Sequence, residues 1–131
     1  MSDIKNISSI SAPQPIGPYS QAVYAGNFLF CSGQIGIDPK SGVLVSSGIA
    51  AETKRAFENI ISILQEANLS LQDVVRVDVY ITRMSDFSIV NEIYAQIFKN
   101  HSPFPARITV GVSELPKNAS IEISCIAIKN K

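Results

Sequence analysis

Two segments, Phe28-Leu29-Phe30-Cys31 and Ile121 to Ile128, limit what this chain can fold into more than any others. The first is apolar at four consecutive positions, and the second sets Ile123, Cys125 and Ala127 against Ile126 and Ile128. Side chains alternate between faces along a strand, so a strand apolar at consecutive positions has to be covered on both sides. At 131 residues the chain can build one core and therefore one domain, residues 1–131. The helices available to it suffice for one face of a sheet. The second face is therefore expected to be buried in an oligomer whose sheets pack against each other.

The remaining elements follow from periodicity. Val23-Tyr24 and Phe28 to Ser32 flank Ala25-Gly26-Asn27, the composition of a hairpin turn. Gly36 to Gly42 is dense in turn formers, without the glycine and lysine order of a phosphate-binding loop. From about Ile49 to Ala67, Phe57, Ile60, Ile61 and Leu64 recur at helical spacing, with Glu52, Lys54, Arg55 and Glu58 expected on the wet side. Asn68 suits a left-handed helix end. Val74 to Ile81 reads as a strand with Val75, Val77, Val79 and Ile81 on one face and Arg76 and Asp78 on the other. Ser85 is placed to cap a second helix whose buried stripe is Phe87, Val90, Tyr94, Ile97 and Phe98. Pro103 and Pro105 end it, and strands follow over roughly 106–112 and 120–128. The order ββ(β)αβαββ defines an α+β fold: a single mixed six-stranded sheet with two helices on one face, a chorismate-mutase-like or ferredoxin-like sandwich.

Composition narrows the function. Eleven Lys and Arg balance eleven Asp and Glu, and the basic residues are scattered singly. No stripe suited to phosphates is present, which disfavours a nucleic-acid partner. No apolar run is long enough to span a bilayer, so no membrane partner is expected. Met1 to Asn6 carries an early acid, no arginine and no apolar stretch, arguing against a signal or transit peptide and for a cytoplasmic location. Cys31 and Cys125 lie in apolar segments and are expected as buried free thiols. With a single histidine, His101, and no Cys-x-x-Cys pair, a zinc site lacks ligands, and with that one histidine and no Gly-x-Ser-x-Gly turn a Ser-His-Asp hydrolase is not expected. His101, in Asn-His-Ser-Pro, is read as a solvated loop residue.

Several polar residues stand out. Arg107 and Thr109 fall on the face opposite Ile108, Val110 and Val112, and the Arg107 fork matches a carboxylate in a two-bond arrangement. From chemistry alone an ion pair within or between subunits, for example with Glu122, is the favoured explanation. Glu122 lies opposite Ile121 and Ile123 and so leaves the main core; it is either a proton carrier in a cleft or a solvated strand residue. Tyr19 follows Gly-Pro in a constrained loop, where it can wall a pocket or tuck the loop onto the core. Ser32 ends a strand before Gly33. Asn91 sits beside the buried stripe of the second helix.

Taken together, Gly17-Pro18-Tyr19-Ser20-Gln21-Ala22, Ser32-Gly33-Gln34-Ile35, Asp86-Phe87 with Asn91 and Tyr94, and Phe104-Pro105-Ala106-Arg107 with Leu115-Pro116-Lys117 and Ile121-Glu122-Ile123 form an ordered series. It resembles the reactive-intermediate imine/enamine deaminases, the RidA or YjgF family, from near residue 13 to near residue 128. The resemblance implies a homotrimer with a ligand cleft at each subunit boundary, no cofactor and no metal. It implies that Arg107 holds a substrate carboxylate, Glu122 positions the attacking water, and Tyr19, Ser32, Asn91 and Thr109 shape the substrate site. The implied substrates are small 2-imino carboxylates and their enamines (2-aminoacrylate with 2-iminopropanoate, and 2-iminobutanoate), hydrolysed to 2-keto acid and ammonia. A non-catalytic small-carboxylate sensor is the alternative; an endoribonuclease or translation inhibitor fits the neutral charge less well. Lys54 stands where many members carry glutamine and Ser124 where many carry a second glutamate. The segment from Asn91 to Arg107 is slightly shorter than in some relatives. These departures bear on substrate preference rather than on reaction type.

Overall fold

The protein is described by a computed structural model over residues 4–130; the reading of the amino terminus rests in part on Met1 to Asp3, outside the described residues. The chain runs β1 (Ile4–Ile7), β2 (Ala22–Ala25), β3 (Phe28–Gln34), β4 (Ile37–Asp38), β5 (Val43–Leu44), α1 (Ile49–Glu66), β6 (Val74–Ile81), α2 (Phe87–Ile97), β7 (Ala106–Gly111) and β8 (Ile121–Ile128). Six strands form one sheet in the order β1-β2-β3-β8-β6-β7, and β4 pairs with β5 in a small hairpin inside the expected turn-rich loop. Among the described residues only β6 and β7 run parallel, because α2 carries the chain back across the sheet between them. The edge strand β1 adds to the pattern read from the sequence.

Register decides which side chains meet the helices. Across β6 and β8, Val77 faces Cys125, Val79 faces Ile123 and Ile81 faces Ile121, all buried. These pack with Leu29, with Phe57, Ile60, Ile63 and Leu64 of α1, and with Val90, Tyr94 and Phe98 around α2. Cys31 and Cys125 stand opposite each other on β3 and β8, both buried free thiols as expected. Their mutual hydrogen bond, reinforced by burial, holds the Cys31 thiol well above its ordinary pKa.

The other face of the sheet carries no helix. Phe28 stands opposite Ile128 and Phe30 opposite Ile126, and Ile108 and Val110 share this side with them. Phe28, Phe30, Ile108 and Val110 are between 41% and 46% exposed. An apolar sheet face open to water is the surface that the consecutive apolar residues of β3 and β8 anticipated.

Four local expectations are corrected. Val75 is exposed and Val74 buried, because the β6–β8 register shifts between Val74 and Arg76, a bulge that moves Val75 off the inward face. Glu52 is buried rather than wet: its Oε1 accepts the Ser120 N–H at 2.8 Å, tying α1 to the start of β8. Ser85 does not cap α2; it lies within a short 3₁₀ turn, Met84–Asp86, and the helix begins from Asp86 without a side-chain cap. His101 is half-buried, its two ring nitrogens against the carbonyls of Pro103 and Val74 and its ring edge-on to Phe98. Asn68, at φ 61°, does end α1 in the left-handed conformation.

Buried Asn59 ties α1 to the end of β3 and the start of β4. Its Nδ2 donates to the carbonyls of Ile35 (3.2 Å) and Ile37 (2.9 Å), while its Oδ1 accepts from Arg55. Replacing Asn59 with Ala leaves two carbonyls without this donor. Thermal and urea unfolding should therefore reveal a loss of about 2–3 kcal/mol.

Candidate active site in two halves

The end of β3 is irregular: its pairing with β8 shifts between Cys31 and Gln34. At this bulge Ser32 turns its hydroxyl to donate to the Ser20 carbonyl at 2.6 Å, and the Ser32 N–H donates to the Gln21 carbonyl at 2.9 Å. Those bonds fix the Tyr19–Gln21 loop beside the strand. Gln21 is itself buried and its side chain holds the neighbouring loop, accepting from Ser9 N–H (2.6 Å) and donating to Pro13 (2.8 Å) and Ser9 (3.1 Å) carbonyls. Between these loops and the Pro116–Lys117 turn lies a cavity of about 520 Å³. Tyr19, Ser32, Gly33, Lys117 and Glu122 all line it.

Glu122 occupies this cavity because Gly33 leaves room for it. A Cβ built on Gly33 would stand 1.9 Å from Glu122 Oε2 and 2.7 Å from its Cδ. The carboxylate therefore lies against the backbone of β3, and this burial raises its pKa above the ordinary value. A carboxylate shifted that way is a better proton acceptor near neutral pH.

A second cavity, of about 400 Å³, opens between α2 and β7 and is lined by Asn91, Tyr94, Ala95, Phe104, Pro105 and Arg107. Arg107 Nη1 donates to Asn91 Oδ1 at 2.8 Å, and the guanidinium carbon lies 4.6 Å from the Tyr94 ring centre and 5.7 Å from that of Phe87. The ion pairs among the described residues are Arg55 with Glu58 and Arg76 with Asp78. Arg107 is thus held by a neutral amide and two ring faces, and its charge is not neutralised. Thr109 lies two residues on, on the same face; its Oγ1 is buried without a hydrogen-bond partner among the described residues, and Thr109 lines neither cavity.

The two halves do not meet within one chain. Arg107 pairs with Val77 and points to the helix side, whereas Glu122 pairs with Tyr80 and points to the open side. The ion pair between them that the sequence left possible is absent, and Arg107 does not leave the helix-covered face as Glu122 does. Tyr19, Ser32 and Glu122 come together in one cavity, and Asn91 and Arg107 in the other. The sequence put Tyr94 in the buried stripe and in the motif series without a role at the site, and gave Gly33 no task. The aromatic at i+3 from Asn91 was the available signal for Tyr94, but no one-dimensional signal tells which glycine faces a carboxylate. Among the described residues no three His, Cys, Asp or Glu side chains converge on a point that could hold a metal ion.

This mixed sheet carries, among the described residues, an arginine after Pro-Ala with no acidic partner and a carboxylate in a cleft on the opposite face. The chain belongs to the RidA/YjgF family, matched by the family model described as Endoribonuclease L-PSP over residues 9–129. It is 53% identical over 119 residues to the RutC family protein PH0854 of Pyrococcus horikoshii, covering 91% of this chain and 93% of that one. It is 48% identical over 123 residues to the human 2-iminobutanoate/2-iminopropanoate deaminase, covering 94% of this chain and 88% of that protein. Among solved structures, E. coli TdcF with bound serine superposes with a TM-score of 0.91 at 37% identity, covering 96% of this chain and 99% of that chain.

Two outcomes follow from the Glu122 cavity. Gly33→Ala is expected to displace the carboxylate and lower turnover at least tenfold while the thermal midpoint shifts by only a few degrees; unchanged turnover would refute the packing argument. A carboxyl group whose pKa is raised by folding costs stability once ionised, and the cost vanishes where folded and unfolded forms are both protonated. Glu122→Gln is therefore expected to raise the thermal midpoint at about pH 8, with the gain fading by about pH 4.

Proposed function

We propose that this protein hydrolyses small 2-imino acids, and the enamines that tautomerise to them, to the 2-keto acid and ammonia. The observation that carries the reading is Arg107: a cation set in a cleft beside apolar walls, with hydrogen-bonding capacity left over and no acid among the described residues to satisfy it. A planar carboxylate is the ligand that such a fork accepts with two parallel bonds. The name of the human relative, at 48% identity, supports the same substrate class, and the serine bound by TdcF is a small carboxylate.

In this mechanism the substrate carboxylate docks on Arg107, with Asn91 at its side. Glu122, moved toward neutrality by burial, takes a proton from water as the oxygen adds to the imine carbon. That proton passes to the nitrogen to give the carbinolamine; Glu122 then takes the hydroxyl proton and returns it to the amine as the C–N bond breaks, the carbonyl forms and ammonia leaves. Tyr19 and Ser32 wall the cleft around that centre. An imine carbon is already electrophilic, so positioning and proton transfer supply the needed acceleration without a cofactor.

Because Arg107 and Glu122 face opposite sides of one sheet, the complete site needs two subunits. Packing the open sheet faces of three copies against each other, in a homotrimer, would bury Phe28, Phe30, Ile126 and Ile128 and place the Glu122 cavity of one protomer at the Arg107 cavity of the next. A two-sided site of this kind predicts complementation. Arg107→Ala and Glu122→Gln, each assayed on an imine generated by an amino-acid oxidase, are expected to lose about 10²–10³-fold in kcat/KM. Unfolding and refolding them together should restore roughly a quarter of wild-type activity, the random-mixing share of boundaries with both residues intact. Absence of recovery would place both residues in one subunit's site. No acceleration by wild type over the spontaneous rate, with 2-keto acid still bound, would make the protein a carboxylate-binding module instead.

A further inference from the structure

Arg107 is held in a way that ordinary surface arginines are not. Its three contacts, Phe87, Asn91 and Tyr94, come from one face of α2, at steps of four and three residues. Tyr94 contributes most closely, with its ring centre 4.6 Å from the guanidinium carbon. That ring cannot swing away: it meets Phe57 edge-on at 6.0 Å and Phe98 at 4.7 Å, and Tyr94 is 6% exposed. The Tyr94 hydroxyl is shielded from solvent and has no hydrogen-bond partner among the described residues. What Tyr94 offers Arg107 is therefore a π face and not a hydrogen bond.

The choice of holder matters chemically. An aspartate in place of Asn91, or a carboxylate anywhere near the guanidinium, would fix Arg107 as firmly but would neutralise it and compete with an incoming anion. A ring face attracts the cation through its quadrupole and leaves the N–H donors at the rim of the guanidinium free. Asn91 takes one of those donors through a neutral oxygen. The arginine is thereby oriented before any ligand arrives, while its charge stays available.

From this geometry we infer that Tyr94 is a positioning residue for the site, its ring face holding the Arg107 guanidinium ready for the substrate carboxylate. The inference rests on the reading of Arg107 as the carboxylate clamp, and its test separates the two. The probe is 2-oxobutanoate, titrated against the assembled protein by NMR, with oligomeric state checked for every variant. Tyr94→Leu should weaken binding about tenfold and raise KM with little change in kcat, and Tyr94→Phe should restore the wild-type values because the ring is kept. In an Arg107→Ala background, Tyr94→Leu should have no further effect, since it acts only through Arg107.

An equal loss from Tyr94→Leu in both backgrounds would overturn the inference and reduce Tyr94 to core packing. A loss in Tyr94→Phe would overturn it differently, by moving the task to the hydroxyl. Should Tyr94→Leu fail to assemble, Phe87→Leu supplies the same cycle from the more distant ring, with an expected loss of about two- to threefold that also vanishes in the Arg107→Ala background; a loss that persists there overturns the inference. If Arg107→Ala binds 2-oxobutanoate as tightly as wild type, the clamp itself is wrong and the positioning task falls with it.

Discussion

The alternation of side chains along β8 is the constraint on which the rest of this protein depends. Ile121, Ile123, Cys125 and Ala127 point into the helix-covered core, while Glu122, Ser124, Ile126 and Ile128 point out of it. β8 lies between β3 and β6 in the sheet, so both neighbours take their register from it. A slip of one residue would bury Glu122 under the helices and expose four apolar side chains. The burial of that apolar set against α1 and α2 holds the register, and the register alone puts a carboxylate into the Ser32–Gly33 bulge. Stability and site placement are thus settled by one pairing.

The bulge and the crossover then divide the chemistry between two surfaces. At the bulge, the missing side chain of Gly33 lets a carboxylate press against backbone and lose part of its hydration. At the β6–α2–β7 crossover, a parallel neighbour pairing turns Arg107 toward α2, where aromatic rings and an amide receive it. Each half keeps a charge that the chain could have neutralised internally and did not. Unpaired charges in clefts are expensive for a fold and useful to a ligand. The open apolar face beside Glu122 is the matching feature at the level of assembly.

Much of this was legible in the residues. Consecutive apolar positions in β3 and β8 announced a sheet wanting cover on both sides, and helical spacing in Phe57, Ile60 and Leu64 located α1 to within a residue of its ends. The motif series named many, though not all, of the residues that line the two cavities; Pro13, Gln14, Ile16, Ile37 and Ala95 lie outside it. Other features escaped because they depend on what lies across space. Glu52 reads as a solvent residue until the Ser120 amide is set in front of it. Val75 alternates correctly in the sequence, yet a bulge unseen in one dimension moves it outward. Arg107 and Glu122 each occupy alternate positions of their own strands, but which face is which depends on a parallel partner in one case and an antiparallel one in the other.

The opposed thiols of Cys31 and Cys125 carry a consequence of their own. They sit on adjacent strands at the sheet's interior, both buried, and the Cys125 neighbour together with burial holds the Cys31 thiol above its ordinary pKa. A thiol reagent can reach them only when β3 and β8 part, so the modification rate follows the frequency of that excursion and not the intrinsic nucleophilicity of the sulfur. These two strands bear the Ser32–Gly33 bulge and Glu122. The chain therefore contains a native clock for the parting of the two strands that carry half of its candidate site, readable without introducing any foreign label.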